Sequence, residues 1–116
     1  MFRTTLEKSL LSSPVACAET LANRIRTIQK RDDAAEFAED MRQLTELQSL
    51  VDAIGREDFS KYARLLELLR GGGEHAWDGS DAHDRLVIFT ERIATLRFLE
   101  QHLPKDLGLA KEQVEI

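Results

Sequence analysis

Residues 14–54 read PVACAETLANRIRTIQKRDDAAEFAEDMRQLTELQSLVDAI and contain two amphipathic stretches on either side of a short polar turn. Apolar residues recur every three or four positions in both stretches, which is the spacing of one face of an α-helix. We therefore predict helices over 14–30 and 34–54, packed as an antiparallel hairpin with coiled-coil-like contacts, and a shorter helix over 3–11 before them. The apolar stripes consist of Cys17, Leu21, Ile25 and Ile28 and of Phe37, Met41, Leu44, Val51 and Ile54.

Local signals indicate where these helices begin and end. Ser13 precedes Pro14, a pair typical of a helix start, because serine caps free backbone N–H groups and proline suits the first turn. Asp33, followed three residues later by Glu36, predicts a capping box at the start of the next helix. Gly55 is expected to end that helix in the left-handed conformation.

The second half of the chain follows a different pattern. A helix is predicted over 60–70, followed by a loop over 71–84 that contains four of the six glycines. Residues 85–90 then read Arg-Leu-Val-Ile-Phe-Thr, with four consecutive apolar side chains. Such a run is too short for a separate helix and is typical of a parallel strand that is buried on both faces.

The remaining residues predict a helix over 92–103, with Pro104 just past its end, and a second short strand over 113–116. A strand–helix–strand order implies a right-handed β-α-β unit, and two strands alone do not form a stable parallel sheet. The expected fold is therefore mostly α with a small α/β part. It comprises a helical hairpin in residues 1–57 and an incomplete β-α-β unit with a short parallel sheet in residues 58–116.

Composition and charge exclude several classes of protein. The net charge of −5 disfavours a freestanding nucleic-acid-binding protein, since such proteins need clustered Lys and Arg. Cys17 is the single cysteine, which excludes an internal disulfide and a cysteine-based zinc cluster. No apolar run approaches the roughly 18–20 residues of a membrane span. We expect a cytoplasmic protein that does not associate with membranes.

A familiar combination of segments lies in the second half of the chain: LLELL at 65–69, RLVIFTER at 85–92 and TLRFL at 95–99. Separated by the glycine-rich loop, they resemble the opening of the second RecA-like lobe of superfamily 2 helicases. The resemblance is closest to the Swi/Snf-type helicase-like ATPases of bacteria. The helical hairpin resembles the insertion that these proteins carry ahead of that lobe. By this resemblance, residues 58–116 are the beginning of an incomplete RecA-like lobe.

The resemblance implies a function for the intact parent of such a fragment. It assigns the strand Val87, Ile88 and Phe89 to motif IV of the second motor lobe. ATP and magnesium would bind between this lobe and a first RecA-like lobe, and the motor would move along nucleic acid, with duplex DNA as the expected track.

The same resemblance implies a nucleic-acid contact at Thr90, Arg92 and Thr95. These residues follow the carboxyl end of the predicted strand and open the next helix, whose free N–H groups favour a phosphate. In the alternative interpretation, Thr90 only caps the helix and Arg92 is solvated.

The chain departs from the family pattern in the parts that carry catalysis. It contains no GxxxxGK[ST] phosphate loop, because the three glycines at 71–73 are followed by Glu74 and His75 rather than by a lysine that could reach a phosphate. The arginine finger of the family would lie beyond Ile116. We therefore expect a fragment of an ATP-dependent translocase that alone holds no cofactor, has no catalytic residues and hydrolyses no ATP. Whether the chain belongs to an enzyme stays open.

A second hypothesis from a different class treats the chain as a standalone helical protein-interaction module. In that case the β-α-β unit completes its sheet with a partner chain. The unpaired edge of a short sheet also predicts self-association of the chain.

The other chemistry-bearing residues have structural explanations. Trp77 is expected to pack, and Cys17 to be buried in its apolar stripe. His102 lies near the end of a helix and is assigned no chemistry. Five candidate metal ligands crowd the glycine-rich loop, which does not hold ligands in the fixed geometry that a structural zinc site needs, so we expect no metal. These five are His75, Asp78, Asp81, His83 and Asp84.

Overall fold

The computed structural model describes residues 1–116 and contains five α-helices, three short 3₁₀ turns and no β-strand, with 67% of the residues helical. The chain divides into two compact units, Met1–Gly55 (the N-terminal unit) and Arg56–Ile116 (the C-terminal unit). None of the helices combines the length and the apolar character that are needed to cross a bilayer. The helices are α1 (Phe2–Ser12), α2 (Pro14–Gln29), α3 (Ala38–Asp52), α4 (Ser60–Arg70) and α5 (Ile93–Leu107). The 3₁₀ turns cover Ala34–Phe37, Arg56–Asp58 and Lys111–Gln113.

The N-terminal unit has a core built on α2, which packs against both α1 and α3. Leu21 is fully buried and Cys17 is 1% exposed, so the cysteine acts as a small apolar core residue, as its position in the stripe predicts. The predicted packing of the two helices is confirmed, since the apolar stripe of α2 and the apolar stripe of α3 form one buried core. The buried members of this core are Cys17, Leu21, Ile28, Leu44 and Val51.

The predicted start of α2 is confirmed, whereas the predicted ends of α3 are wrong. The Ser13 hydroxyl oxygen accepts a hydrogen bond from the Ala16 N–H at 3.1 Å and so caps α2. Asp33 forms no capping box, because its carboxylate accepts from Arg31 at 2.8 Å, and a 3₁₀ turn precedes α3. At the other end α3 stops at Asp52, and Gly55 does not adopt a positive φ.

The predicted β-α-β unit and its parallel sheet are wrong. Neither 85–90 nor 113–116 forms a strand, so no motif IV strand exists at Val87, Ile88 and Phe89. Leu86, Ile88, Val114 and Ile116 do line the same cavity beside α5. A strand also requires backbone hydrogen bonds to a neighbour, however, and the two segments form none with each other. The incomplete RecA-like lobe expected for residues 58–116 is therefore an all-helical unit with irregular segments.

The C-terminal unit is held together by side chains of α4 and α5. Its buried core consists of Phe59, Tyr62 and Leu103. The helix α5 does not end at Leu103 as predicted but continues through Pro104 to Leu107, where Gly108 with φ of 68° ends it. Proline removes one hydrogen bond from a helix interior. Pro104 is buried, which opposes that cost, and the added turn carries Asp106 to Tyr62.

We expect Leu21→Ala to lower the free energy of unfolding by about 2–5 kcal/mol, because it opens a cavity around a side chain that is fully buried. Urea unfolding followed by circular dichroism measures the change. The control is Leu50→Ala, at a side chain that is 69% exposed, and its effect should stay within about 0.5 kcal/mol. Equal losses for the two variants would contradict the packing of the N-terminal unit.

Candidate interaction surface

Residues 84–90 run without a helix, turn or bend, and a bend follows at Glu91. Side-chain exposure alternates along this stretch, which is the period-two pattern of an extended chain. Val87 is 66% exposed and Phe89 is 92% exposed, whereas Leu86 and Ile88 are half-buried. Residues 85–91, here called the docking segment, thus present two large apolar side chains to solvent from an extended backbone.

The inward side chains of the docking segment anchor it to the C-terminal unit. Ile88 packs against the core of Phe59, Tyr62 and Leu103. Leu86 and Ile88 together line an apolar cavity of about 130 Å³ beside α5. The segment is therefore held from one side, and its other side is uncovered.

The backbone of the docking segment is unpaired. From Leu86 to Phe89, no N–H or C=O group takes part in a backbone hydrogen bond. In a sheet these groups would bond to a neighbouring strand, and where they are exposed they form a template for another chain. The segment thus has the shape of a strand that lacks its partner.

Both ends of the docking segment are fixed by side-chain hydrogen bonds. At the start, the Trp77 Nε1–H donates to the carbonyl of Asp84 at 3.0 Å. Trp77 packs as expected, since it is half-buried and lines the same cavity as Leu86 and Ile88. At the other end, the Thr90 hydroxyl oxygen accepts from the Arg92 N–H at 3.2 Å.

The three residues for which a nucleic-acid contact is predicted lie together at the start of α5. Arg92 is the residue just before α5, which begins at Ile93, and Thr90 lies two residues before Arg92. Thr95 is only 7% exposed, so its hydroxyl lies inside the unit rather than on its surface. The Thr90 hydroxyl accepts from the N–H of Arg92, the residue before α5, and no side chain caps the first turn of α5, so the capping role of the alternative interpretation is not seen. The nucleic-acid role of these residues stays a prediction.

A polar network joins the first residues of the C-terminal unit to the end of α5. The Tyr62 hydroxyl donates to Asp106 Oδ2 at 2.5 Å, and Arg56 Nη1 lies 3.5 Å from Asp106 Oδ1. Arg56 Nη1 also lies 3.2 Å from His102 Nδ1. An arginine can only donate, so this contact requires the Nδ1 atom of His102 to be unprotonated.

The network changes the pKa of two of its members. Burial, together with the hydrogen bond to the Asp106 carboxylate, raises the pKa of Tyr62 far above its ordinary range. Burial and the positive charges of Arg56 and Lys105 lower the pKa of His102, and Asp106 opposes them. Tyr62 is 3% exposed, so the network holds α4 to α5 and offers no reactive hydroxyl to solvent.

The carboxylates of the glycine-rich loop cap local turns. Asp78 accepts from the Ser80 N–H at 2.9 Å, and Asp81 accepts from the His83 N–H at 2.8 Å. No three His, Cys, Asp or Glu side chains are placed to share a metal ion.

Sequence reasoning missed two features of this region. It treated Val87 and Phe89 as strand residues buried on both faces, because a continuous apolar run carries no sign of which side is covered. It also missed the contact of Tyr62 with Asp106, which are 44 positions apart. The position of Tyr62 on the apolar side of its helix could have indicated such a contact, because a buried hydroxyl needs a hydrogen-bond partner.

No protein family, curated protein or solved structure matches this chain.

We expect the free energy of unfolding to fall as the pH is lowered from about 7.5 to about 5.5, because His102 binds a proton more readily in the unfolded chain. A histidine whose folded pKa is lowered contributes stability that is present above its unfolded pKa and is lost as the pH falls below it. His102→Gln should flatten this pH dependence, measured by urea unfolding at each pH. His83→Gln, at an exposed loop position, is the control, and its free energy of unfolding should change with pH as that of the parent does. Equal slopes for parent and His102→Gln would contradict the assigned role of His102.

Proposed function

We propose that this chain is a helical protein-interaction module whose docking segment, residues 85–91, pairs as a strand with another protein chain. The observation that carries the proposal is the exposure of Val87 at 66% and of Phe89 at 92% beside an unpaired extended backbone. Large apolar side chains that are exposed next to each other are typical of protein interaction sites, whereas single exposed apolar residues are common on any surface.

Strand addition uses two kinds of contact, and the docking segment provides both. Main-chain N–H and C=O groups supply the affinity, and alternate side chains supply the specificity. Here the free main-chain groups run from Leu86 to Phe89. Because Ile88 is already packed against the core, the segment loses little conformational freedom on binding, which favours association.

The motor-fragment hypothesis, with ATP, magnesium and duplex DNA bound by the intact parent, stays a prediction. Its structural expectation was a parallel sheet that ends at Thr90, and this chain has no sheet. We favour the interaction module because its requirements, an exposed apolar pair and free backbone groups, are features of the chain itself.

A photo-reactive phenylalanine analogue at position 89 tests the proposal. In cells that express the chain, we expect ultraviolet light to link position 89 to a defined protein, identified by mass spectrometry. The same analogue at position 50, where Leu50 is 69% exposed, is the matched control and should give no such product. Val87→Asp should remove the product at position 89, because it places a charge on the apolar face of the docking segment.

Equal labelling at positions 89 and 50, or a product that Val87→Asp leaves unchanged, would overturn the proposal. Circular dichroism should show that Val87→Asp keeps the parent's fold, because the side chain is mostly exposed.

A further inference from the structure

The charges around the docking segment have opposite signs at equal distances from Ile88. Arg85 lies three residues before Ile88, and Glu91 lies three residues after it. Asp84 lies four residues before Ile88, and Arg92 lies four residues after it. In an antiparallel pair of two such segments centred on Ile88, each positive side chain therefore lies opposite a negative side chain of the other strand. This is the arrangement that lets a strand pair with a copy of itself.

We propose that the partner of the docking segment is the same segment of a second copy of this chain, paired antiparallel and centred on Ile88. This inference rests on the proposed function and names its partner. In this register Arg85 lies opposite Glu91 of the second copy, and Val87 lies opposite Phe89 of the second copy. Each contact occurs twice because the pair has two-fold symmetry.

The exposed face of the segment suits this pairing. Arg85, Val87, Phe89 and Glu91 are alternate residues, and all four are exposed. In the dimer the two valines and two phenylalanines form one apolar cluster with an ion pair at each end. Directly opposed side chains in an antiparallel pair are close enough for such contacts to stabilise it.

Other registers lose these contacts or replace them with repulsion. A parallel in-register pair would set each charged residue against its own copy. A shift of one residue sets Arg85 against Arg92, or Asp84 against Glu91. A shift of two residues sets Arg85 against Phe89 or Ile93. The charge pattern therefore selects the antiparallel register centred on Ile88 over its neighbours.

The inward face supplies the support that two strands alone lack. An isolated two-stranded ribbon is marginal in water, and packing against a helix makes it stable. In each copy, Leu86 and Ile88 already lie beside α5. The paired segments would thus form a two-stranded sheet, and α5 of each copy would pack against the strand of that copy.

Sedimentation equilibrium of the full chain tests the proposal. We expect the parent to form a reversible dimer. Arg85→Glu should weaken dimerisation about tenfold or more, since it turns two attractive pairs into two repulsive ones. Glu91→Arg should weaken it similarly. The matched control is Arg97→Glu, which makes the same charge change at an exposed position of α5 outside the docking segment and should dimerise like the parent.

Mixing the two single variants gives the decisive result. A chain with Arg85→Glu carries two acidic residues at these positions, and a chain with Glu91→Arg carries two basic ones. The mixture should form a one-to-one heterodimer, because both pairs are attractive again. The double variant Arg85→Glu/Glu91→Arg should likewise dimerise with itself.

A monomeric parent, a dimer that Arg85→Glu does not weaken, or a mixture that stays monomeric would each overturn the self-pairing. Cross-linking from position 89 separates this failure from that of the proposed function. A product with a different identified protein would refute the second copy as partner and retain the interaction module. The absence of any specific product would refute both.

Discussion

The edge-to-face contact between Phe98 and Tyr62 organises the C-terminal unit. Their ring centroids are 5.1 Å apart with the planes at 86°, and Phe59 meets Phe98 in a similar way at 5.4 Å. Because Phe98 lies on α5 and Tyr62 on α4, this contact fixes one helix against the other. It also places Asp106 at the Tyr62 hydroxyl and forms the apolar surface that receives Ile88. Once Ile88 is turned inward, its neighbours Val87 and Phe89 must face outward.

The helices could be predicted because their signals are local. The stripe through Cys17, Leu21 and Ile28 repeats with the period of the helix, and Ser13 acts on an N–H three residues away. The errors arose where a competing contact decided the outcome. Asp33 pairs with Arg31 instead of capping α3, and Pro104 is kept inside α5 by burial. Neither competing contact is visible in the pattern of a single helix.

The strand prediction failed for a different physical reason. The apolar run at 86–89 has the composition of a strand, and alternate side chains do face opposite sides. A strand also needs a neighbour for its backbone, and no other segment of the chain supplies one. The side-chain pattern alone therefore predicted a strand buried on both faces, which the chain does not form. The exposure of Phe89 could not be predicted, since it depends on the lack of a neighbouring segment that would cover the side chain.

Burial of the single cysteine has a consequence for the chemistry of any assembly that this chain enters. Burial raises the pKa of the Cys17 thiol, against the opposing hydrogen bond with Ser9, so the reactive thiolate is scarce near neutral pH. At 1% exposure the sulfur is also out of reach of a second thiol. A contact between folded copies of this chain would therefore not involve a disulfide through Cys17. A cysteine introduced on the surface would be the only site open to thiol-directed labels, so the chain can be labelled selectively without first removing its own cysteine.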